Sequence, residues 1–196
     1  MYDYIKGKLT ELNPTEVVLE TNNIGYKILI SLQTYSKLKS DGEVKLFIYH
    51  HLREDTELLY GFFDKEERFI FCLLLDVSGI GPNTARMMLS SMSSDEIRNA
   101  IISGDINKLK SIKGIGLKTA QRMLIELKDK IVKGNNSWGS SSFMATANSA
   151  LREEATSALV LLGFNRANVD KVIDLLLKEN PDCRLEELIK FALKRL

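Results

Sequence analysis

Two stretches of this chain carry the same pattern of residues, and the pattern has a chemistry. Residues 77–92 read Val-Ser-Gly-Ile-Gly-Pro-Asn-Thr-Ala-Arg-Met-Met-Leu-Ser-Ser-Met, and residues 112–127 read Ile-Lys-Gly-Ile-Gly-Leu-Lys-Thr-Ala-Gln-Arg-Met-Leu-Ile-Glu-Leu. At a constant offset of 35 positions, Gly79, Ile80, Gly81, Thr84, Ala85, Met88 and Leu89 recur as Gly114, Ile115, Gly116, Thr119, Ala120, Met123 and Leu124. Glycines on both sides of one apolar residue let a chain reverse tightly. The amide N–H groups of such a turn, leading at once into a helix, form a nest for an anion, and a phosphate diester fits it without contact to a base. Ile80 and Ile115 are expected to point inward and pin the turns, and Ala85 and Ala120 to keep the following helices close to their partners. Thr84 and Thr119 add hydroxyl donors, with Asn83 beside the first. Arg86, Lys113, Lys118 and Arg122 lie where they can reach neighbouring phosphates. A single Gly-Ile-Gly is an ordinary tight turn. Two copies, each with Thr-Ala and cations at the next helix start, point to phosphate binding.

A second stretch, Arg53-Glu54-Asp55-Thr56-Glu57, is acidic and lies between two apolar strands. By itself it reads first as a solvated turn; the alternatives are a carboxylate cluster holding Mg²⁺ for phosphodiester cleavage and fixed negative charge that repels phosphates and steers strands apart. No other catalytic signature is present. Residues 114–119 resemble a P-loop only superficially, because Leu117 separates glycine from lysine and the upstream glycine is missing. There is no Gly-x-Ser-x-Gly. Cys72 and Cys183, with the adjacent His50 and His51, lack metal-ligand spacing, so no zinc is expected. The cysteines are expected to be reduced, buried thiols, and the histidines structural or surface residues. No cofactor is expected on this chain, and any ATP-driven work must come from another.

The elements that must position these residues follow from local pattern. Residues 4–9, 17–20, 26–30, 44–49 and 58–62 are short β-branched or aromatic runs, separated by turn chemistry at Asn13-Pro14, Asn22-Asn23-Ile24-Gly25 and Ser40-Asp41-Gly42. Five strands in this length suit a small closed barrel, either an OB-fold or an SH3-like barrel without a ligand. From Asp64 the period becomes helical. A dense apolar helix precedes Gly79, and Pro82 fits the first turn of the next. Ser93 to Glu96 looks like a capping box for a helix stopping at Gly104, Asp105 opens a short helix, and a long one runs over 118–132. Residues 134–148 contain no charge and read as a flexible Gly/Ser/Asn tether. Helices over 151–162, 167–178 and 185–196 then make a minimal bundle, the first closed by Gly163.

The net charge of +1 conceals an asymmetry. Residues 64–133 hold 12 Lys and Arg against 9 Asp and Glu, whereas residues 1–63 hold 7 against 9, so the cationic excess falls on the repeat, where a polyanion would bind. The longest apolar run, 69–75, is far short of the roughly 20 residues that span a bilayer. The N-terminus has no basic-then-apolar signal pattern, so a cytoplasmic chain is expected.

Taken together, Arg53-Glu54-Asp55-x-x-Leu58-Leu59-Tyr60-Gly61-Phe62, the two hairpin motifs, Ile24-Gly25-Tyr26 and a three-helix tail resemble the bacterial RuvA family over essentially the whole chain. The resemblance implies an α+β multidomain protein. Residues 1–63 form an OB-fold barrel, 64–133 an all-α tandem helix-hairpin-helix domain, 134–148 a linker and 149–196 a three-helix, UBA-like bundle. It implies a homotetramer with fourfold symmetry that binds a Holliday junction opened into a square, as one tetramer or two face to face. The barrels would form its centre, and the tandem motifs would grip minor-groove backbones. Glu54 and Asp55 match the family's acidic pins at the crossover. The tail would contact a RuvB-type hexameric ATPase, which uses ATP and Mg²⁺ to drive branch migration in recombination and repair, with a RuvC-type resolvase in the same complex. In this chain that contact would use Leu161, Leu162, Phe164 and Leu175–Leu177, residues that the bundle's own core also needs. The rival readings are a Mg²⁺-dependent nuclease using Glu54, Asp55 and Glu57, and a scaffold whose hairpins only pack helices.

Overall fold

A computed structural model describes residues 2–39, 42–138, 147–180 and 183–196, with the backbone alone at 132–138 and 147–150. The chain divides into two compact units, 1–134 and 135–196. The described residues form five strands and nine helices.

The first unit begins with β1 (Tyr4–Asn13), β2 (Glu16–Thr21), β3 (Ile24–Ile30), β4 (Glu43–Leu52) and β5 (Glu57–Phe62), which close in the order β1-β2-β3-β5-β4. Alternate side chains of a strand face opposite sides. Here Ile5 and Leu9, Val17 and Leu19, Ile28 and Ile30, and Leu46 and Ile48 all turn inward to fill the barrel. The parallel β3–β5 pairing among antiparallel neighbours gives the OB topology rather than an SH3-like one. Asn22 and Asn23, both at positive φ (49° and 64°), make the two-residue turn whose twist suits a hairpin. Gly61 is fixed by space: a Cβ there would lie 2.5 Å from Ile28 Cγ2.

One element is absent from the sequence reading. Ser31 caps α1 (Leu32–Lys37), its Oγ accepting from Thr34 N at 3.0 Å. Six residues are too few to display a helical period, and only the cap signalled the helix.

The helical part comprises α2 (Lys65–Leu75), α3 (Pro82–Ser91), α4 (Ser94–Ser103), α5 (Ile106–Lys110) and α6 (Leu117–Trp138). The capping box at Ser93 and Glu96 is present, and Gly104 closes α4 at φ 75°. α6 runs past the expected end at 132, so 134–138 are helical rather than tether. Extending a formed helix adds a hydrogen bond per residue, and no proline stops it. The middle of the expected tether, 139–146, lies outside the described residues, as do Ser40, Asp41, Pro181 and Asp182.

Barrel and helices share packing through β5. Phe71 of α2 meets Tyr60 and Phe62 with ring centroids 5.3 and 4.8 Å away. Glu67 of α2 is fully buried. Its Oε2 accepts from Thr34 Oγ1 at 2.8 Å, and its Oε1 from Ser31 Oγ. Thr34 Oγ1 also accepts from Phe63 N at 3.1 Å. α1 further reaches α3, with Leu32 N donating to Ser90 Oγ at 3.1 Å and Gln33 Nε2 to Met92 O.

The second unit holds α7 (Ala147–Leu161), α8 (Arg166–Glu179) and α9 (Leu185–Leu193) around Ala155, Leu159, Val169, Ile173, Leu176, Leu188 and Ala192. Gly163, at φ 98°, ends α7 with Phe164 N donating back to Leu159 O at 3.2 Å. Arg152 grips Asp174 through two nitrogens, at 2.6 and 3.2 Å.

Burial pushes the Glu67 carboxyl above its ordinary value of 4.5, against the opposing hydrogen bonds from Ser31 and Thr34. The folded chain therefore keeps this proton to higher pH than the unfolded chain does. That share of stability is complete below 4.5 and is lost as pH rises through the folded value. Urea unfolding at pH 5 and pH 8 should show wild type losing more stability over that interval than Glu67→Gln; identical losses would mean that Glu67 does not carry the effect.

Candidate nucleic-acid interface

The two hairpins match bond for bond. Gly79 and Gly114 stand at φ 95° and 92°, a left-handed conformation that costs an L-residue roughly 1–2 kcal/mol. Ile80 N donates to Val77 O at 3.0 Å, and Ile115 N to Ile112 O at 3.1 Å. Each following helix opens with the same bond: Ala85 N to Gly81 O at 2.9 Å, and Ala120 N to Gly116 O at 3.0 Å. The side chains of Ile80 and Ile115 are buried, as are those of Ala85 and Ala120. With their side chains buried and their amides bonded within the turns, Ile80 and Ile115 pin the hairpins rather than supply donors to an anion. Gly81 caps α3 without a side-chain bond. Among the described residues nothing accepts from the amides of Gly81, Asn83, Thr84, Gly116, Lys118 or Thr119. These are the orphan donors of two helix N-termini, held ready for an anion.

The polar side chains divide less evenly than the repeat suggests. Lys113 and Lys118 are exposed, and no carboxylate pairs with either among the described residues. Thr84 and Thr119 are half-buried. Arg86 is committed to the barrel, giving Nη1 to Thr15 O at 2.9 Å. Arg122 reaches across to the first hairpin, with Nη1 3.4 Å from Ser78 O. Both arginines thus also brace the hairpins, a use that spacing alone did not reveal. Sequence reasoning missed Tyr60, whose hydroxyl donates to Asn83 Oδ1 at 3.2 Å. No local signal joins residues on different elements, and only the fold does.

Glu54 and Asp55 form the tip of the β4–β5 hairpin. Arg53 N donates to Thr56 O at 2.8 Å across the turn, and both carboxylates are exposed. Among the described residues Asp55 accepts only from the neighbouring Thr56 hydroxyl, at 3.1 Å. Glu57 is drawn away to His50, with Oε1 3.0 Å from Nε2. Among the described residues no three His, Cys, Asp or Glu side chains converge on a metal position. Cys72 and Cys183 are half-buried free thiols rather than fully buried ones, since each sits at the edge of its core.

In the second unit the proposed partner residues split. Leu161, Leu162 and Leu175 are 88, 62 and 55% exposed, and Phe164 is partly buried against the core. Leu176 is a correction. It is 2% exposed, because one helical step of about 100° beyond Leu175 turns it into the bundle core, so it cannot serve as a surface contact.

An OB barrel carrying an acidic hairpin and fused to two anion-ready hairpins defines a DNA-binding protein of the tandem helix-hairpin-helix class. Family models agree along the chain: RuvA N-terminal domain at residues 1–61, SAM-like helix-hairpin-helix tandem at 71–129, and RuvA C-terminal domain at 150–196. Relatives called Holliday junction branch migration complex subunit RuvA match all of this chain and all of their own. They are 47% identical in Bacteroides fragilis, 49% in Bacteroides thetaiotaomicron and 46% in Christiangramia forsetii. The chain belongs to the RuvA family.

Gly81 and Gly116 have open space where a Cβ would stand and are not at positive φ. A carboxylate there favours the helix dipole, so Gly81→Glu with Gly116→Glu should fold normally. It should weaken binding of a labelled duplex by on the order of a hundred-fold, because the carboxylates oppose phosphates. Unchanged affinity in anisotropy titrations of a folded variant would show that the hairpins serve only to pack helices.

Proposed function

We propose that this chain is the non-catalytic, junction-binding subunit of an ATP-driven branch migration complex. The observation that carries this reading is the pair of bond-for-bond equivalent hairpins on the same unit as an acidic hairpin whose two tip carboxylates have no cationic partner among the described residues. The relatives' shared name, Holliday junction branch migration complex subunit, supports it at full length. Donors limited to backbone amides and exposed cations position a protein on DNA without reading bases. Selection for a four-way junction then comes from arranging copies of this grip around a centre. Four subunits in fourfold array set Gly79–Gly81 and Gly114–Gly116 on the arms, and Glu54 and Asp55 at the crossover, where fixed negative charge repels the backbones and keeps the strands apart. One such tetramer, or two clasping the junction, completes the assembly.

Motion comes from a RuvB-type hexameric ATPase, which consumes ATP with Mg²⁺. This chain holds no cofactor of its own, and it meets that partner through the exposed Leu161, Leu162 and Leu175, with Phe164 at their edge. A RuvC-type resolvase acts on the same junction. The complex works in the cytoplasm. No helix among the described residues is long and apolar enough to cross a membrane.

Titrating the chain against a labelled four-way junction and a linear duplex of equal length tests the central claim. The junction should bind at least about ten-fold tighter, ~1.4 kcal/mol, with affinity falling steeply in salt, and both DNAs should stay intact with Mg²⁺ present. Equal affinities would sink the reading, and cleavage abolished by Glu54→Gln would return the chain to the nucleases. Glu54→Gln with Asp55→Asn should hold or raise junction affinity by up to a few-fold, since repulsion is removed. A marked drop would refute the pin role.

A further inference from the structure

The repeat places Asn83 and Lys118 at one and the same position, 35 residues apart. Each is the second residue of the helix that follows its hairpin, α3 or α6. The equivalence continues one turn earlier, where Ser78 corresponds to Lys113. The second hairpin therefore presents two exposed lysines at positions where the first presents Asn and Ser. Arg86, the cation on the first turn-and-a-half of α3, is turned to the Thr15 carbonyl of the barrel.

Asn83 is also aimed. Tyr60 donates its hydroxyl to Asn83 Oδ1, and Tyr60 itself is 1% exposed and packed on Phe71, so the donor cannot swing. Burial raises the Tyr60 pKa from its ordinary 10, against the pull of Arg86, which keeps the hydroxyl protonated. With Oδ1 held, the two N–H donors of the amide are left on an exposed residue, and among the described residues nothing accepts from the backbone amides of Asn83 and Thr84. An asparagine whose carbonyl oxygen is turned to a fixed donor keeps its two N–H donors for a ligand.

We propose that the two hairpins hold phosphates by different chemistry. The second uses charge from Lys113 and Lys118. At the equivalent position the first uses a neutral hydrogen bond, with Asn83 as the donor and Tyr60 as the positioning residue that aims it, while the nearby Arg86 and Arg122 are turned to backbone carbonyls. This rests on the phosphate-binding reading given above. The consequence is measurable, because a lysine that neutralises a phosphate releases counterions and contributes roughly 0.9 to the slope of log affinity against log salt, whereas an amide contributes nothing.

The full chain, titrated against a labelled four-way junction over a range of salt, distinguishes the two grips. Lys118→Ala should flatten the slope by about one per bound subunit. Asn83→Ala should weaken binding roughly three- to ten-fold per subunit at every salt concentration and leave the slope alone. Tyr60→Phe should weaken binding in the same way, and adding it to Asn83→Ala should cost nothing more; a merely structural tyrosine would add its loss. Asn83→Lys should steepen the slope by about one per subunit and abolish any effect of Tyr60→Phe, an outcome that holds even if Tyr60→Phe lowers the thermal midpoint. Additive losses for Tyr60 and Asn83, or a slope indifferent to both Lys118→Ala and Asn83→Lys, would overturn the proposal while leaving junction binding intact. An unaltered chain that ignores the junction would remove the functional reading and this one with it.

Discussion

Glu67 has lost all contact with solvent, and its two oxygens take hydrogen bonds from Ser31 and Thr34, the hydroxyls that open α1. A buried carboxylate is tolerated only where its bonds are made, because an unsatisfied polar group in the interior costs several kcal/mol. The network therefore acts as a constraint. α2 can pack on the barrel only in the one position that supplies both hydroxyls, and Thr34 must also receive the Phe63 amide at the end of β5. α1 additionally bonds to Ser90 and Met92, so the far end of α3, the helix that the first hairpin opens, is tied to the same element. The same strand, β5, starts at the acidic turn and ends at this joint. The acidic turn and both hairpin motifs thus sit on one compact unit.

Much of the site was legible in the sequence because it is local. The Gly-Ile-Gly turns, the Ser93–Glu96 capping box and Gly104 and Gly163 at helix ends are each decided within a few residues, and local rules decide them correctly. The barrel also followed from β-branched and aromatic runs and the turn residues between them, although choosing the OB topology required the β3–β5 pairing, a contact between runs about thirty residues apart. What was not legible is long-range or too short to register. α1 spans six residues, less than two turns, and Glu67 looked like any charge in the first turn of a helix. Nothing near it in sequence announces burial, because its partners come from a different element.

The arginines make the same point about side chains. Arg86 and Arg122 each follow a hairpin motif, and a count of cations assigns both to phosphate. In the fold they reach carbonyls of Thr15 and Ser78, while Lys113 and Lys118 stay free of carboxylate partners among the described residues. A guanidinium is a planar fork suited to bracing backbone oxygens, and an ammonium is a compact, strongly hydrated charge suited to the surface. The division follows that chemistry. Leu175 and Leu176 show the limit of reading a partner face from composition, because one helical step of about 100° carries the chain from the exposed edge of α8 into the bundle core.

A repeated backbone motif does not require repeated electrostatics. The turn geometry of the two hairpins is conserved within the chain because both must release the same amides, and only glycine adopts φ near 90° without strain. The side chains at the following positions face no such demand, and they diverge: Asn83 against Lys118, Ser78 against Lys113. Divergence at the first copy is constrained by its neighbour, the barrel, whose Tyr60 needs an acceptor for a buried hydroxyl and finds it in Asn83. A lysine at 83 would leave that hydroxyl without an acceptor and set a cation beside Arg86. The contact with Tyr60 thus supplies a physical reason for an uncharged residue at position 83, whereas the exposed Lys118 has no carboxylate partner among the described residues.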